Sequence, residues 1–535
     1  MDRRGAAMTW RRAAAIVPLA FVGVFFVYPV VTILGRGLWP DGSLDLDPLA
    51  AVWTDGSLRS VAWFTLWQAA LSTALTLALG IPGAYALFRL EFPGRALVRA
   101  LVTVPFVLPT VVVGSAFLGL GVEPSVRAIL LAHVFFNYAV VVRTVGALWA
   151  NLDPYQEDAA RVLGASRARA FATVTLPALR PAILAATAIT FLFTFTSFGV
   201  ILVLGPPTRA TIETEIYRQT AQLLDLGTAA ALSITQLVVI VVLLVVIARL
   251  TGRTGIALAL RAGAATTRRV RSVGDRVFLG ANLATMGGLL GVPVAVLVVR
   301  SFDTPAGPGL DFYRSLGSLR ADSISFVPPT DAIVNSLLFA SVATALALTV
   351  GGMASFVIAR STRGHLLDAT LALPLGVSAV TVGFGFLVTF DEAPLDLRAS
   401  WVIVPIAHAL IAIPFVVRVA TPVLRSVDPR LREAAAVLGA PPRRVWREID
   451  LPIAARALML GAGFAFAISL GEFGATAFLA RPDRPTLPIV IFRLLGQPGA
   501  QSFGAAMAAA TILAALTALA VLLVDRARVG AVGTF

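Results

Sequence analysis

The sequence has 535 residues, 58% of them hydrophobic and 13% charged, with no cysteine and a formal charge of +14. A soluble domain averages roughly 45–50% apolar and about 25% charged, so this composition excludes an ordinary water-soluble protein. The missing cysteine excludes disulfides and thiolate metal sites, and the absence of any lysine among the 43 basic residues excludes a P-loop, whose lysine must reach the nucleotide phosphates.

Uncharged apolar runs of about 20 residues, the length that crosses a hydrocarbon core, recur from one end to the other. They predict crossings at 13–34, 62–88, 98–120, 126–149, 182–204 and 229–250, then at 276–299, 333–359, 366–390, 399–423, 457–480 and 504–524. The expected class is therefore all-α, a polytopic membrane protein with about 12 transmembrane helices. The first run follows an arginine-rich start and lacks a small-residue cleavage site, so it reads as a retained helix. Between the sixth and seventh runs, residues 251–275 are polar and rich in Gly and Arg, and predict a linker.

Arginines gather at Arg3, Arg4, Arg11 and Arg12, in 89–99, 161–180, 253–271 and 425–447, and at Arg526 and Arg528. Counting crossings puts all of them on one face, which the positive-inside bias identifies as cytoplasmic, together with both termini. Anionic lipid headgroups account for such a charge excess, and no nucleic-acid partner is expected.

A polar stretch occurs twice. DAARVLGASRARAFATVTLP (158–177) aligns without a gap on EAAAVLGAPPRRVWREIDLP (433–452), since 439 minus 164 and 452 minus 177 both give 275. The same offset pairs His133 with His408, Arg143 with Arg418, and FTSFGV (195–200) with LGEFGA (470–475). TVPFVLPTVVVG (103–114) resembles ALPLGVSAVTVG (372–383), matching Pro105 to Pro374. Six crossings per copy is an even number, so the copies enter the membrane in the same direction, unlike inverted repeats. The expected domains are a six-helix repeat over 1–250, the linker 251–275, and a second six-helix repeat over 276–535, with the duplicated loops at 151–180 and 426–455.

The first loop carries Asp153, Glu157, Asp158, Arg161, Arg167, Arg169 and Arg180. Burying so many charges in a bilayer would cost more than about 10 kcal/mol, so it stays in water. Asp153 reads as an N-cap with Pro154 in the first helical position, and Gly164 as a left-handed residue ending the helix. Asp428, Pro429 and Gly439 repeat this grammar. A second short helix then runs to Leu176-Pro177 or Leu451-Pro452, where the proline begins the next crossing. Small Ala159, Ala160, Ala434 and Ala435 beside apolar Val162, Leu163, Val437 and Leu438 suit a helix lying in another protein's groove.

Glu433-Ala434-Ala435, three residues, Gly439, nine residues, then Ile449-x-Leu451-Pro452 resembles the EAA motif of bacterial ABC importer permeases. The first copy departs from it only by Asp158 for Glu and Val174 for Ile. The resemblance implies a fused, two-repeat permease subunit of a type I ABC importer in the bacterial cell membrane. It also implies that each copy is a coupling helix on one of two cytoplasmic ABC ATPase subunits, which bind the ATP and Mg. This chain would then carry no cofactor and no catalytic residue, and an extracytoplasmic substrate-binding protein would deliver cargo. Residues 195–220 and 469–499 resemble the thiamine and ferric-iron importer permeases, the first stretch being closer to the thiamine branch. Thiamine is thus the expected cargo and ferric iron the alternative. An ion-coupled secondary transporter, with buried charged relays and no docking motif, is a third reading; no H-E-x-x-H or G-x-S-x-G supports an intramembrane enzyme.

Glu472 is a carboxylate inside a crossing, and such residues by default suggest a pathway role. With Ser197 at the matching place it forms the candidate translocation path, together with Pro105 and Pro374 as pore-facing bends. His133 and His408 are expected to bond across helices rather than to ligate a metal.

Overall fold

The computed structural model describes residues 15–39, 42–252, 267–318, 327–361, 364–391 and 395–532. Among these, ten helices are long and apolar enough to cross a membrane. They are Ala15–Leu38, Gly56–Arg89, Val126–Trp149, Arg167–Phe195, Leu226–Val246, Val273–Phe302, Pro329–Arg360, Ile403–Ser426, Trp446–Gly471 and Ala500–Leu523. The chain is an all-α polytopic membrane protein.

Two expected crossings are broken. The run 98–120 is two helices, Arg95–Val107 and Thr110–Gly119, bent by 104°. The run 366–390 is Gly364–Ala372, a 3-10 turn Leu373–Gly376, and Ala379–Thr389. Neither Pro105 nor Pro374 is itself the corner. Each accepts, at its carbonyl, the N–H of the residue three further on, Leu108 or Val377, at 3.3 Å in both cases, and so closes the last turn. The corner follows. Leu108 is extended because Pro109 comes next. At the matched position, Ser378 opens the following helix by accepting the N–H of Thr381 at 3.0 Å.

Two further crossings are shorter than expected. The helix predicted to end at 204 ends at Phe195, and a separate helix, Gly199–Leu204, follows. The one predicted to end at 480 ends at Gly471 and is followed by Thr476–Leu479. An average over apolar residues does not register these turns, because the residues flanking them remain apolar.

Prolines misled the boundaries in the opposite sense. Pro177 and Pro452 do not begin their helices, which start at Arg167 and Trp446. Each stands two residues beyond a π-helical turn, Phe171–Thr175 or Trp446–Asp450. The same device recurs at Gly23–Val27 before Pro29 and at Gly287–Gly291 before Pro293. A proline offers no N–H and crowds the carbonyl four residues back. A π turn there lets the helix continue past it.

The first helix of each half lies against the other half. Phe25 of Ala15–Leu38 packs on Phe390, with ring centroids 5.7 Å apart, and Gly385 leaves room for Pro29 and Ile33. In the matched place, Leu290 joins a core cluster with Leu87, Val113 and Phe135 of the first half. Arg36 donates to the carbonyl of Val388 at 3.4 Å, and Arg300 to that of Gly119 at 3.2 Å. Each arm thus closes the end of the other half's broken crossing.

Residues 253–266 of the expected linker lie outside the described residues. Its far end is pinned: Arg268 and Arg269 pair in parallel with Leu90 and Glu91, Arg268 Nη2 lies 2.8 Å from Asp275 Oδ1, and the next helix already begins at Val273. On the side away from the duplicated loops, Trp39, Trp53 and Trp63 are exposed, as in an aromatic belt at a membrane interface.

Close helix packing uses glycine. A Cβ on Gly146 would stand 2.6 Å from Cε2 of Phe88. Gly146→Leu is therefore expected to cost about 1–3 kcal/mol through overpacking, read as a lowered unfolding temperature of the purified chain in detergent. An unchanged midpoint would contradict this packing.

Candidate functional site

The duplicated loops form two elbows of the same construction. Helix Tyr155–Val162 ends at Gly164, with φ +91°, and helix Pro429–Val437 ends at Gly439, with φ +78°. Within each elbow this is the position that needs glycine's left-handed freedom. In each elbow, the residue after the glycine donates to an alanine carbonyl five back: Ala165 to Ala160 and Ala440 to Ala435, both at 3.0 Å. Gly164 and Gly439 donate to Arg161 and Ala436, which completes a Schellman cap. Asp428 caps its helix as expected by accepting the N–H of Arg430 at 2.9 Å. Asp153 accepts from Tyr155 at 3.0 Å, one residue ahead of its expected register, with Pro154 in the N-cap place.

The cap leaves an apolar tip in the open. Val162 and Leu163 are 86% and 88% exposed, and Val437 and Leu438 are 88% and 86% exposed. Asp158, Ala159, Gly164, Glu433, Ala434 and Gly439 are exposed with them, Ala160 and Ala435 partly so. Leu176, Pro177 and Pro452 are exposed at the start of the following rise, and Leu451 is half-buried.

Behind each tip lies a brace whose positions match but whose chemistry differs. In the first elbow, Thr175 donates to Glu157 at 2.9 Å. In the second, the residues 275 further on are Arg432 and Asp450, bonded at 2.8 Å, and Arg360 also pairs with Asp450. Nearby, Arg89 donates to the carbonyls of Trp149 and Leu152 at 3.4 and 3.1 Å. Each elbow is thereby fixed to the helices it would move. On the opposite side, hydrogen bonds from Arg398 and Arg481 hold the carboxyls of Asp391 and Asp483 below the usual range.

Away from the elbows, the pathway candidates sit at the helix breaks. Glu472 is buried, and its side chain accepts the N–H groups of Ala475 at 2.8 Å and Thr476 at 3.0 Å, and the Thr476 hydroxyl at 2.5 Å. It caps the short helix that follows. His408 Nε2 lies 3.1 Å from the same carboxylate and 2.8 Å from Thr476 Oγ1, while Nδ1 is 2.7 Å from Ser469 Oγ. A carboxylate only accepts, so the proton belongs on Nε2 and Nδ1 takes the serine hydroxyl. In the first half, His133 bridges Ser72 and Ser197, each at 2.9 Å. Both imidazoles therefore tie a helix to a break, and among the described residues no group of three or more His, Asp or Glu could hold a metal.

Between the two breaks lies a feature that the sequence reading missed. Phe198 and Phe473, one from each half, are buried and stacked, with centroids 5.5 Å apart and planes at 26°. Phe198 also meets Tyr217 at 5.5 Å, and Phe473 meets Phe492 at 5.5 Å. Tyr217 and Phe492 are themselves 275 residues apart, so all four rings were visible as matched aromatic positions. A Cβ on Gly199 would lie 3.0 Å from Thr110 Cβ and 3.1 Å from Phe473 Cδ1, which shows how closely the halves meet here.

A family model described as the binding-protein-dependent transport system inner membrane component matches residues 76–256. The molybdenum transport system permease protein ModB of Escherichia coli (strain K12) is 32% identical over 208 residues, covering 36% of this chain and 91% of its own. This chain belongs to that family. Over a longer span, it is 29% identical over 507 residues, 89% of each chain, to the thiamine transport system permease protein ThiP of Brucella suis biovar 1 (strain 1330). The protein of the same name from Escherichia coli (strain K12) is 27% identical over 480 residues, 84% of this chain and 86% of its own. The protein is accordingly a fused, two-repeat permease subunit of an ABC importer, and a multi-pass membrane protein.

In this permease the two histidines are not equal. His408→Ala leaves a buried carboxylate without its imidazole donor, whereas His133→Ala frees only hydroxyls. The first is expected to lose about 1–3 kcal/mol and to lower the unfolding temperature in detergent more than the second. Equal effects would contradict the assigned network.

Proposed function

We propose that this permease carries thiamine into the cytoplasm, driven by two cytoplasmic ATPase subunits seated on the two elbows. A binding protein on the opposite face supplies the cargo, the termini lie in the cytoplasm, and ATP and Mg are bound by the partners alone. The coupling surface is Asp158, Ala159, Ala160, Gly164, Leu176 and Pro177 in one elbow and Glu433, Ala434, Ala435, Gly439, Leu451 and Pro452 in the other. The observation that carries this reading is the pair of capped, fully presented apolar tips. A lone elbow tip in water leaves unburied a leucine that would gain about 1.5–3 kcal/mol from enclosure, and two such tips fit two copies of one socket.

Thiamine as cargo is supported by the full-length relatives that carry that name, and by a seam made of aromatic faces. The ferric-iron alternative asks for a hard oxygen or imidazole ligand set, and these side chains already have partners: His133 has Ser72 and Ser197, and His408 has Ser469, Thr476 and Glu472. In operation, nucleotide-driven closure of the ATPases would draw the elbows together. The braces at Glu157–Thr175 and Arg432–Asp450 would pass that motion to the crossings, and the halves would part at the far side.

Reconstitution with the cognate ATPase and binding protein is expected to give ATP-dependent uptake of labelled thiamine and none of ferric iron; the reverse result would overturn the cargo. Leu163→Asp combined with Leu438→Asp is expected to abolish both co-purification of the ATPase and uptake, with an unchanged unfolding temperature. Retained ATPase binding by that variant would overturn the docking role.

A further inference from the structure

Phe198, Tyr217, Phe473 and Phe492 stand where the two halves meet, between four helix breaks, and nothing in the elbow mechanism uses them. Broken helices in transporters mark the places where cargo is handled. We propose that these four rings are the selective gate of the permease, closed by the Phe198–Phe473 stack and passing planar organic cations between the same two ring faces. This inference rests on the thiamine reading and deepens it.

The argument starts from symmetry. Each half contributes the same pair, a phenylalanine just after the break and an aromatic residue on the short helix beyond it: Ile212–Arg218 or Leu487–Leu495. Those short helices are locked to their own half. The N–H of Ile212 donates to Thr65 Oγ1 at 2.9 Å, and that of Leu487 to Ser336 Oγ at 2.7 Å. Tyr217 and Phe492 therefore move with their halves and carry Phe198 and Phe473 with them. Any separation of the halves must first unstack the central pair.

Unstacking exposes two aromatic faces toward each other. A ring face is the negative part of the π quadrupole, and attracts a cation held within about 6 Å of its centroid. A flat cation of heteroaromatic type replaces the lost stack with two ring contacts, so the gate opens onto that cargo at little net cost. A hydrated inorganic cation or a neutral polar solute recovers much less. On the first short helix Glu215 is paired with Arg218 at 2.7 Å and Glu213 is buried against Gln236, so neither stands as an open carboxylate beside the rings.

The test compares two double variants in the complete complex with ATPase and binding protein, in proteoliposomes, with labelled thiamine. Phe198→Leu with Phe473→Leu keeps apolar bulk and removes the π faces; Phe198→Tyr with Phe473→Tyr keeps both. Loss of two such contacts corresponds to roughly a tenfold or greater fall in uptake. The leucine variant is expected to show that fall while its binding-protein-stimulated ATP hydrolysis stays within about twofold of wild type, and the tyrosine variant to transport normally. If the wild type moves thiamine and the leucine variant moves it equally well, the inference fails alone. If both variants lose uptake and ATP hydrolysis together, the rings are structural packing and the inference also fails. If the wild type moves no thiamine, the functional reading falls and takes this inference with it.

Discussion

Inside a bilayer, a backbone N–H or C=O without a partner costs several kcal/mol, because no water is at hand to replace it. Among the described residues, the helices of this permease are nevertheless interrupted four times between the membrane faces, in two matched pairs. Each interruption is answered by named groups. The carbonyls of Pro105 and Pro374 close their last turns. Ser378 and Glu472 cap the helices that follow them. Thr65 and Ser336 take the first N–H of the short helices beyond the seam. His133 and His408 then lock the breaks to the neighbouring crossings. The architecture exists only because those polar groups are satisfied, and the place where cargo could pass is the place where they had to be.

Duplication within one chain lets the same position acquire different chemistry. Pro109 and Ser378 both start a helix after a corner, one by lacking an N–H and the other by supplying a cap. Ser197 answers an imidazole where its counterpart Glu472 answers an imidazole and two backbone donors. The brace behind one elbow is a neutral donor on a carboxylate; behind the other it is a carboxylate between two guanidiniums. A carboxylate–guanidinium pair is stronger and more directional than a hydroxyl contact. The second elbow is therefore the more rigidly attached of the two.

Much of the fold could be read from the sequence. Hydropathy located the crossings, and the Asp428-Pro429 and Gly164 or Gly439 signals located the elbow helices, because caps and left-handed glycines are local chemistry. What escaped was anything set by a distant partner. The breaks at Phe195 and Gly471 lie within apolar surroundings, where only the side-chain bonds of Glu472 and the close approach at Gly199 declare a turn. Pro177 and Pro452 look like helix starts until the π turns before them are seen. The exchange of arms, with Arg36 on Val388 and Arg300 on Gly119, carries no local signature at all. The ring cluster was legible in principle, since Phe198 and Tyr217 recur as Phe473 and Phe492 at the elbow's own offset. Attention to Glu472, a carboxylate inside an expected crossing, drew the reading away from them.

All of this requires both elbows to face the same compartment, where they can be driven together. The native chain has no cysteine, so Val162→Cys and Val437→Cys, made singly, each place one thiol at an exposed tip. Labelling by a membrane-impermeant maleimide should occur for both in inside-out vesicles and for neither in right-side-out vesicles, and should fall when the ATPase is bound. Labelling of either tip from the outside would contradict the account.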